Sequence, residues 1–256
     1  MLLDVDISVD YPNRPDVLRG VCFTLERGEI AGLVGPSGAG KSTLALALMR
    51  LIHLRDGLVR GRIRFDGRDL MSLSPAELRR IRGREIALVP QSPIAALNPA
   101  LRLETQFHEA WRAHSSDPWR DARARIGRLL ARMDLPSDDE FLRRYPRQLS
   151  VGQAQRVVIA MAVLHGPQLL IADEPTSALD PASRAGILDL FQSLNRELRL
   201  SILYISHDLP SVDRLCRRVI AIPCSQRGGA QDAEETRRTP SQCSLRVVSA
   251  FSAPPR

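Results

Sequence analysis

The run Gly35-Pro36-Ser37-Gly38-Ala39-Gly40-Lys41-Ser42 satisfies G-x-x-x-x-G-K-[ST], a pattern whose residue types suit the grip of a chain of phosphates. Its glycines let consecutive backbone N–H groups turn inward around phosphate oxygens, and a helix starting at the lysine adds the positive end of its dipole. Lys41 supplies a compact charge to the β- and γ-phosphates, and Ser42 offers a hydroxyl to Mg²⁺. Among 36 basic residues Lys41 is the only lysine. A planar guanidinium cannot copy its role, which explains why one ammonium stands in a chain otherwise given over to arginine.

A second group lies far downstream. Leu169-Leu170-Ile171-Ala172-Asp173-Glu174 reads as an apolar strand ending in two carboxylates, at the edge of a sheet where open α/β folds bind ligands. Asp173 is read as holding Mg²⁺ through its water shell, and Glu174 as polarising an attacking water. Alone, the pair would be a strand followed by a solvated acidic turn; the phosphate loop upstream makes the chemical reading the better one.

These groups need a parallel sheet beneath them. Leu3, Val5, Ile7 and Val9 alternate with polar residues, the period of a half-buried strand, and Val21 to Leu25 predicts another. Ile30 to Val34 is short and fully apolar, as in a parallel sheet, and leads into the loop and a helix from about Lys41 to Ile52. Gly61 to Phe65 reads as an edge strand and Glu85 to Pro90 as a core strand. From about Ser92 to Gly166 the pattern is helical, broken at Asn98-Pro99, Asp117-Pro118, Leu135-Pro136 and Tyr145-Pro146. A strand–helix rhythm then returns: strands at 169–173, 201–206 and 217–222, helices at 181–198 and 209–215. The expected fold is α/β, with a mostly parallel sheet, an antiparallel N-terminal part and an inserted helical subdomain. The 34 residues from Pro223 on change character and read as a diverged or partly disordered tail.

Composition narrows the function. With 44% hydrophobic and 25% charged residues the chain should fold around a sizeable core. No apolar stretch approaches the roughly 20 residues that span a bilayer, and no secretory leader is read at the N-terminus. The net charge of +7 is spread over the chain without interleaved aromatics, so a solvated basic surface is expected rather than a nucleic-acid partner. Cys22, Cys216, Cys224 and Cys243 form no C-x-x-C pair and are expected as reduced thiols.

Five ordered motifs between residues 3 and 222 resemble the ATP-binding subunits of ABC transporters. They are the phosphate loop; Leu149-Ser150-Val151-Gly152-Gln153, similar to LSGGQ; Asp173-Glu174-Pro175-Thr176; Ser177-Ala178-Leu179-Asp180; and Ser206-His207-Asp208. The resemblance implies a P-loop NTPase (RecA-like) core at 1–91 and 166–222, a helical insert at about 92–165, and a tail at 223–256. It implies ATP and Mg²⁺ as ligands, held by Gly35 through Ser42 together with Thr43, with Ser42, Gln91 and Asp173 at the metal. Glu174 would act on water, Lys41, Gln91 and His207 on the γ-phosphate and its surroundings, and Tyr11 would stack on adenine. Ser150, Gly152, Gln153 and Asp180 would serve the nucleotide of an opposite subunit. Val151 replaces a glycine and Ala154 an often basic residue; were a positive φ needed at 151, valine would cost on the order of 1 kcal/mol.

Gln91-Ser92-Pro93, Leu97-Asn98-Pro99 and Tyr145-Pro146 resemble the peptide and nickel importer branch. An importer ATPase is therefore expected, peripheral on the cytoplasmic face of the inner membrane. Its partners would be a second ATPase chain, the same or different, membrane permease subunits and, indirectly, an extracytoplasmic binding protein. Alternatives are a soluble or phosphonate-pathway member without a permease, or a catalytically impaired binding partner. A P-loop kinase would leave the LSGGQ-like segment unexplained.

Overall fold

The structure, a computed structural model, describes residues 1–222 and the backbone of 246–249; the expected tail at 223–256 otherwise lies outside the described residues. In chain order the strands are β1 (Leu3–Tyr11), β2 (Arg14–Leu25), β3 (Ile30–Val34), β4 (Leu58–Phe65), β5 (Arg68–Asp69), β6 (Ile86–Val89), β7 (Leu169–Asp173), β8 (Ser201–Ile205), β9 (Arg218–Ala221) and β10 (Arg246–Ser249). The helices are α1 (Lys41–Leu48), α2 (Pro75–Ile81), α3 (Pro93–Ala96), α4 (Leu103–Arg112), α5 (Trp119–Arg132), α6 (Asp139–Leu142), α7 (Val151–Ala162), α8 (Pro181–Leu198) and α9 (Leu209–Leu215).

Two sheets divide the strands. The first is antiparallel, in the order β2-β1-β4-β5, and the second runs β10-β9-β3-β8-β7-β6. In the second, β9, β3, β8, β7 and β6 pair in parallel and β10 joins β9 antiparallel. Every residue of β7 and β8 is buried, as expected of central strands covered on both faces. The alternation in β1 does its own sorting: Leu3, Val5, Ile7 and Val9 go inside, and the intervening residues stay at least partly exposed.

Several boundaries differ from the sequence reading, each for a physical reason. β2 begins at Arg14 because Tyr11 pairs with Arg14 across a tight hairpin, so the expected turn is strand almost to its tip. β4 begins at Leu58 and carries Gly61 inside it at φ 103°; a Cβ there would come within 2.1 Å of the Asp6 carbonyl, so only glycine allows β1 this close. α1 stops at Leu48, and a short 3₁₀ turn at Ile52–Arg55 follows. β10, which was not anticipated, adds a strand beyond Ile222. Of the cysteines expected as thiols, Cys224 and Cys243 lie outside the described residues, and burial pushes the Cys216 thiol up to about 12 and leaves it inert.

Between β6 and β7 the described chain is helical. Phe107, Ile126, Leu130, Phe141 and Val157 are fully buried and belong to one cluster with the parallel sheet. Gln106 is a buried polar residue beside it. Its Oε1 accepts from the Asn98 N–H at 2.9 Å, and its Nε2 donates to the carbonyls of Asn98 at 3.1 Å and Leu101 at 3.0 Å. One side chain thus satisfies the backbone of the turn that connects α3 to α4. Replacing Gln106 with leucine, close in size but unable to bond, should cost about 1–3 kcal/mol in chemical denaturation through the orphaned backbone groups.

Candidate functional site

β3 ends at Val34 and the chain turns through Gly35–Gly40 into α1, whose N-cap is Gly40 at φ 90°. Gly38, at φ 81°, has no atom within 4 Å of the position a Cβ would take, whereas a Cβ on Gly40 would meet Leu18 Cδ2 at 2.6 Å. Alternating backbone hands of this kind turn N–H groups to one side and make a concavity for anions. Lys41 opens the helix yet is 5% exposed. Its Nζ donates to the carbonyls of Gly35 at 2.9 Å and Pro36 at 3.1 Å, and lies 3.5 Å from Glu174 Oε1.

Glu174 is the hub of the site. It follows β7 with a left-handed backbone, φ 47°, which takes its side chain off the strand's course and toward the loop. Gln91 Nε2 donates to Glu174 Oε2 at 3.3 Å, and His207 Nδ1 lies 3.2 Å from Oε1. The last residues of β6, β7 and β8 therefore place Gln91, Glu174 and His207 side by side, because parallel neighbours end at the same edge of the sheet.

Asp173, one residue earlier, points into a drier place. It is 7% exposed, and its Oδ1 is buried without a hydrogen-bond partner. Burial pushes its carboxyl above the usual carboxylate range; the Ser42 hydroxyl pulls the other way, Glu174 adds to the rise and Lys41 opposes it. A buried carboxylate oxygen with an open lone pair, beside a serine hydroxyl, is a donor set suited to a hard divalent cation. Mg²⁺ needs few protein ligands when phosphates and waters supply the others, so the lack of any cluster of three acidic, His or Cys side chains among the described residues is consistent with it.

A cavity of about 550 Å³ joins these groups, lined by Tyr11, Ser37, Gly38, Gly40, Lys41, Ser42, Thr43, Gln91 and Glu174. Arg14, Val17 and Arg55 line it too. Sequence reasoning missed all three; the one available signal is Arg14's position across the hairpin from Tyr11. Gly35 and Pro36 take part through their carbonyls, and Ala39 is buried behind the loop.

Ser150, Gly152, Gln153 and Asp180 are not brought to this cavity. Ser150 caps α7 by accepting from the Gln153 N–H at 3.2 Å, while the Gln153 side chain accepts from the Ser150 N–H at 3.1 Å. Asp180 caps α8 through the N–H groups of Ala182 and Ser183. The two helix starts are neighbours, since a Cβ on Gly152 would lie 3.4 Å from Ser183 Oγ. Val151 is the first residue of α7 and is absent from the positive-φ positions, so the strain considered for a valine there does not arise.

The family described as ABC transporter matches residues 18–177. A putative peptide import ATP-binding protein of Brucella abortus (strain 2308) is 43% identical over 231 residues, covering 88% of this chain and 69% of its own length. The oligopeptide transport ATP-binding protein OppD of Bacillus subtilis (strain 168) is 39% identical over 230 residues, covering 88% of this chain and 64% of its own. The dimeric structure of MJ0796, a bacterial ABC transporter cassette, superposes with a TM-score of 0.74 at 27% identity, over 87% of this chain and 94% of that one. A post-hydrolysis state of the same cassette, bound to ADP and Pi, gives 0.72 at 27% identity over 89% and 100%.

The buried Asp173 carboxylate yields a prediction about stability. Its raised pKa means that ionisation is disfavoured in the folded state, a penalty present above that pKa and lost as pH falls through it. Asp173→Asn should therefore stabilise the nucleotide-free protein by about 1–2 kcal/mol near pH 7–8. The gain should shrink toward the ordinary carboxylate range, as thermal melts across pH would show.

Proposed function

The chain belongs to the ABC transporter family, and from that membership we propose that it is the ATP-hydrolysing subunit that energises an importer of peptides. The observation that carries the reading is the convergence on one carboxylate, Glu174, of Lys41, Gln91 and His207 at the mouth of a cavity lined by the glycine loop. Peptides are the favoured cargo, rather than nickel, because the relatives compared above carry peptide import and oligopeptide transport names. Those names also favour a permease partner over a member working without one.

The residues divide the work. Backbone N–H groups of Gly38–Ser42 and the Lys41 ammonium take the phosphate charge, and Tyr11 at the far side of the cavity offers its ring to the base. Ser42 and Asp173 would hold Mg²⁺, which when bound neutralises charge between the β- and γ-phosphates. Gln91 and His207 each engage a different oxygen of Glu174, which fixes the carboxylate plane. Glu174 then orients a water in line with the terminal phosphorus and accepts its proton as the new O–P bond forms and the β–γ bridge breaks. Placement and charge do most of this work.

Ser150, Gly152, Gln153 and Asp180 present a separate surface at the starts of α7 and α8. In a head-to-tail pair of cassettes this surface would close over the nucleotide of the opposite subunit, so both sites need two chains. The helical insert at about 92–165 would receive a short helix from the permease. No helix among the described residues is long and apolar enough to cross a membrane, and peripheral attachment through that permease follows from the reading.

Glu174→Gln keeps shape and hydrogen bonding but cannot accept a proton. Phosphate release by the purified chain, with its cognate ATPase partner where the two differ, should fall by about 100-fold or more while ATP binding persists. An unchanged rate would remove Glu174 from its role. Recovery of permease subunits with the tagged chain from detergent extracts tests the transport half of the reading.

A further inference from the structure

Glu174 keeps a backbone conformation, φ 47°, that a non-glycine residue holds only where its surroundings impose it. Three contacts do so. Its N–H donates to the Ile205 carbonyl at 2.8 Å, and its own carbonyl accepts from the Ser177 N–H at 3.2 Å and the Ser177 hydroxyl at 3.0 Å. Between them, Thr176 Oγ1 shares a hydrogen bond of 3.0 Å with the hydroxyl of Tyr204. Tyr204 is fully buried and Thr176 is 2% exposed. Water cannot substitute there, so the pair fixes the turn more firmly than a surface bond would.

Tyr204 stands on β8, three residues before His207, and the turn that follows this strand is tied by bonds of its own. Ser206 Oγ accepts from the Asp208 N–H at 3.0 Å, and the Ser211 hydroxyl donates to the Asp208 carboxylate, which takes Arg184 Nη1 at 3.2 Å as well. Ser206 and Asp208 flank His207. A single buried hydroxyl on the central strand β8, the strand that runs on into His207, is therefore bonded to the turn that carries Glu174.

We infer that Tyr204 is a positioning residue for hydrolysis: its hydroxyl ties the turn after β7 to β8, the strand that leads into His207, so that Glu174 and His207 meet at 3.2 Å. Neither the motifs nor the cavity lining includes it. The inference rests on the reading of Glu174 and His207 as groups acting at the terminal phosphate. It predicts a device that affects turnover and leaves nucleotide capture alone, because Tyr204 does not line the cavity that Lys41 lines.

Tyr204→Phe removes only the hydroxyl, and Thr176→Val removes its partner with little change in shape. Two measurements on the full chain test the inference, with Glu174→Gln alongside. In hydrogen exchange read by mass spectrometry without nucleotide, Tyr204→Phe should speed exchange about fivefold or more in peptides covering 174–177. In steady-state phosphate release, kcat should fall about 10- to 100-fold with KM for ATP within about twofold. The double variant Tyr204→Phe/Thr176→Val should be no worse than either single one. If Tyr204→Phe fails to fold, Thr176→Val alone carries the same expectations. Unchanged exchange at 174–177, an additive double variant, or wild-type kcat beside an inactive Glu174→Gln would overturn the inference. Undiminished turnover in Glu174→Gln would instead overturn the reading beneath it.

Discussion

A primary ammonium that is almost wholly buried must be surrounded by oxygens, and the architecture of this protein follows from meeting that demand at Lys41. Burial of an unpaired cation would cost several kcal/mol. Here the carbonyls of Gly35 and Pro36 and the carboxylate of Glu174 are within 3.5 Å of its Nζ. The carbonyls come from the lysine's own loop. The carboxylate comes from a residue 133 positions later, delivered by a second strand of the same parallel sheet. The loop requires β3 before it and α1 after it; the carboxylate requires β7 to end at the same edge. β8 and β6, the neighbours of β7 on either side, then bring His207 and Gln91 to that edge.

Much of this was legible in the residues. The period-2 run of β1, the apolar strand before the loop and the acidic end of β7 each carry a local signal strong enough to place them. The union of Lys41, Gln91, Glu174 and His207 follows once those strands are parallel neighbours. What escaped was set by contacts between distant residues. The length of β2 depends on Tyr11 meeting Arg14, the conformation at Gly61 depends on Asp6 across the sheet, and Arg14 and Arg55 enter the cavity because a hairpin and a 3₁₀ turn bring them there. Tyr204 was invisible for a simpler reason: within an apolar strand, a tyrosine reads as packing until its hydroxyl's partners are known.

Val151 shows how a backbone position can settle a question that motif comparison raises. Replacement of a glycine suggests strain only if the glycine's conformational freedom is used. At the first position of α7, right after the Ser150 capping box, the chain is already helical and a β-branched residue is tolerated. The helix start keeps its own capping intact, and the surface it forms with Asp180 remains apart from the cavity. Under the proposed head-to-tail pairing, each chain would supply one half of two sites.

The central claim is that a compact ammonium, and not merely a positive charge, grips the phosphates at the start of α1. Calorimetric titration of MgATP into folded full-length protein, wild type against Lys41→Arg, tests it most directly. The account predicts that arginine, too broad for the space between the Gly35 and Pro36 carbonyls and Glu174, weakens binding by about tenfold or more in protein that remains folded. Equal affinity in the two proteins would contradict it.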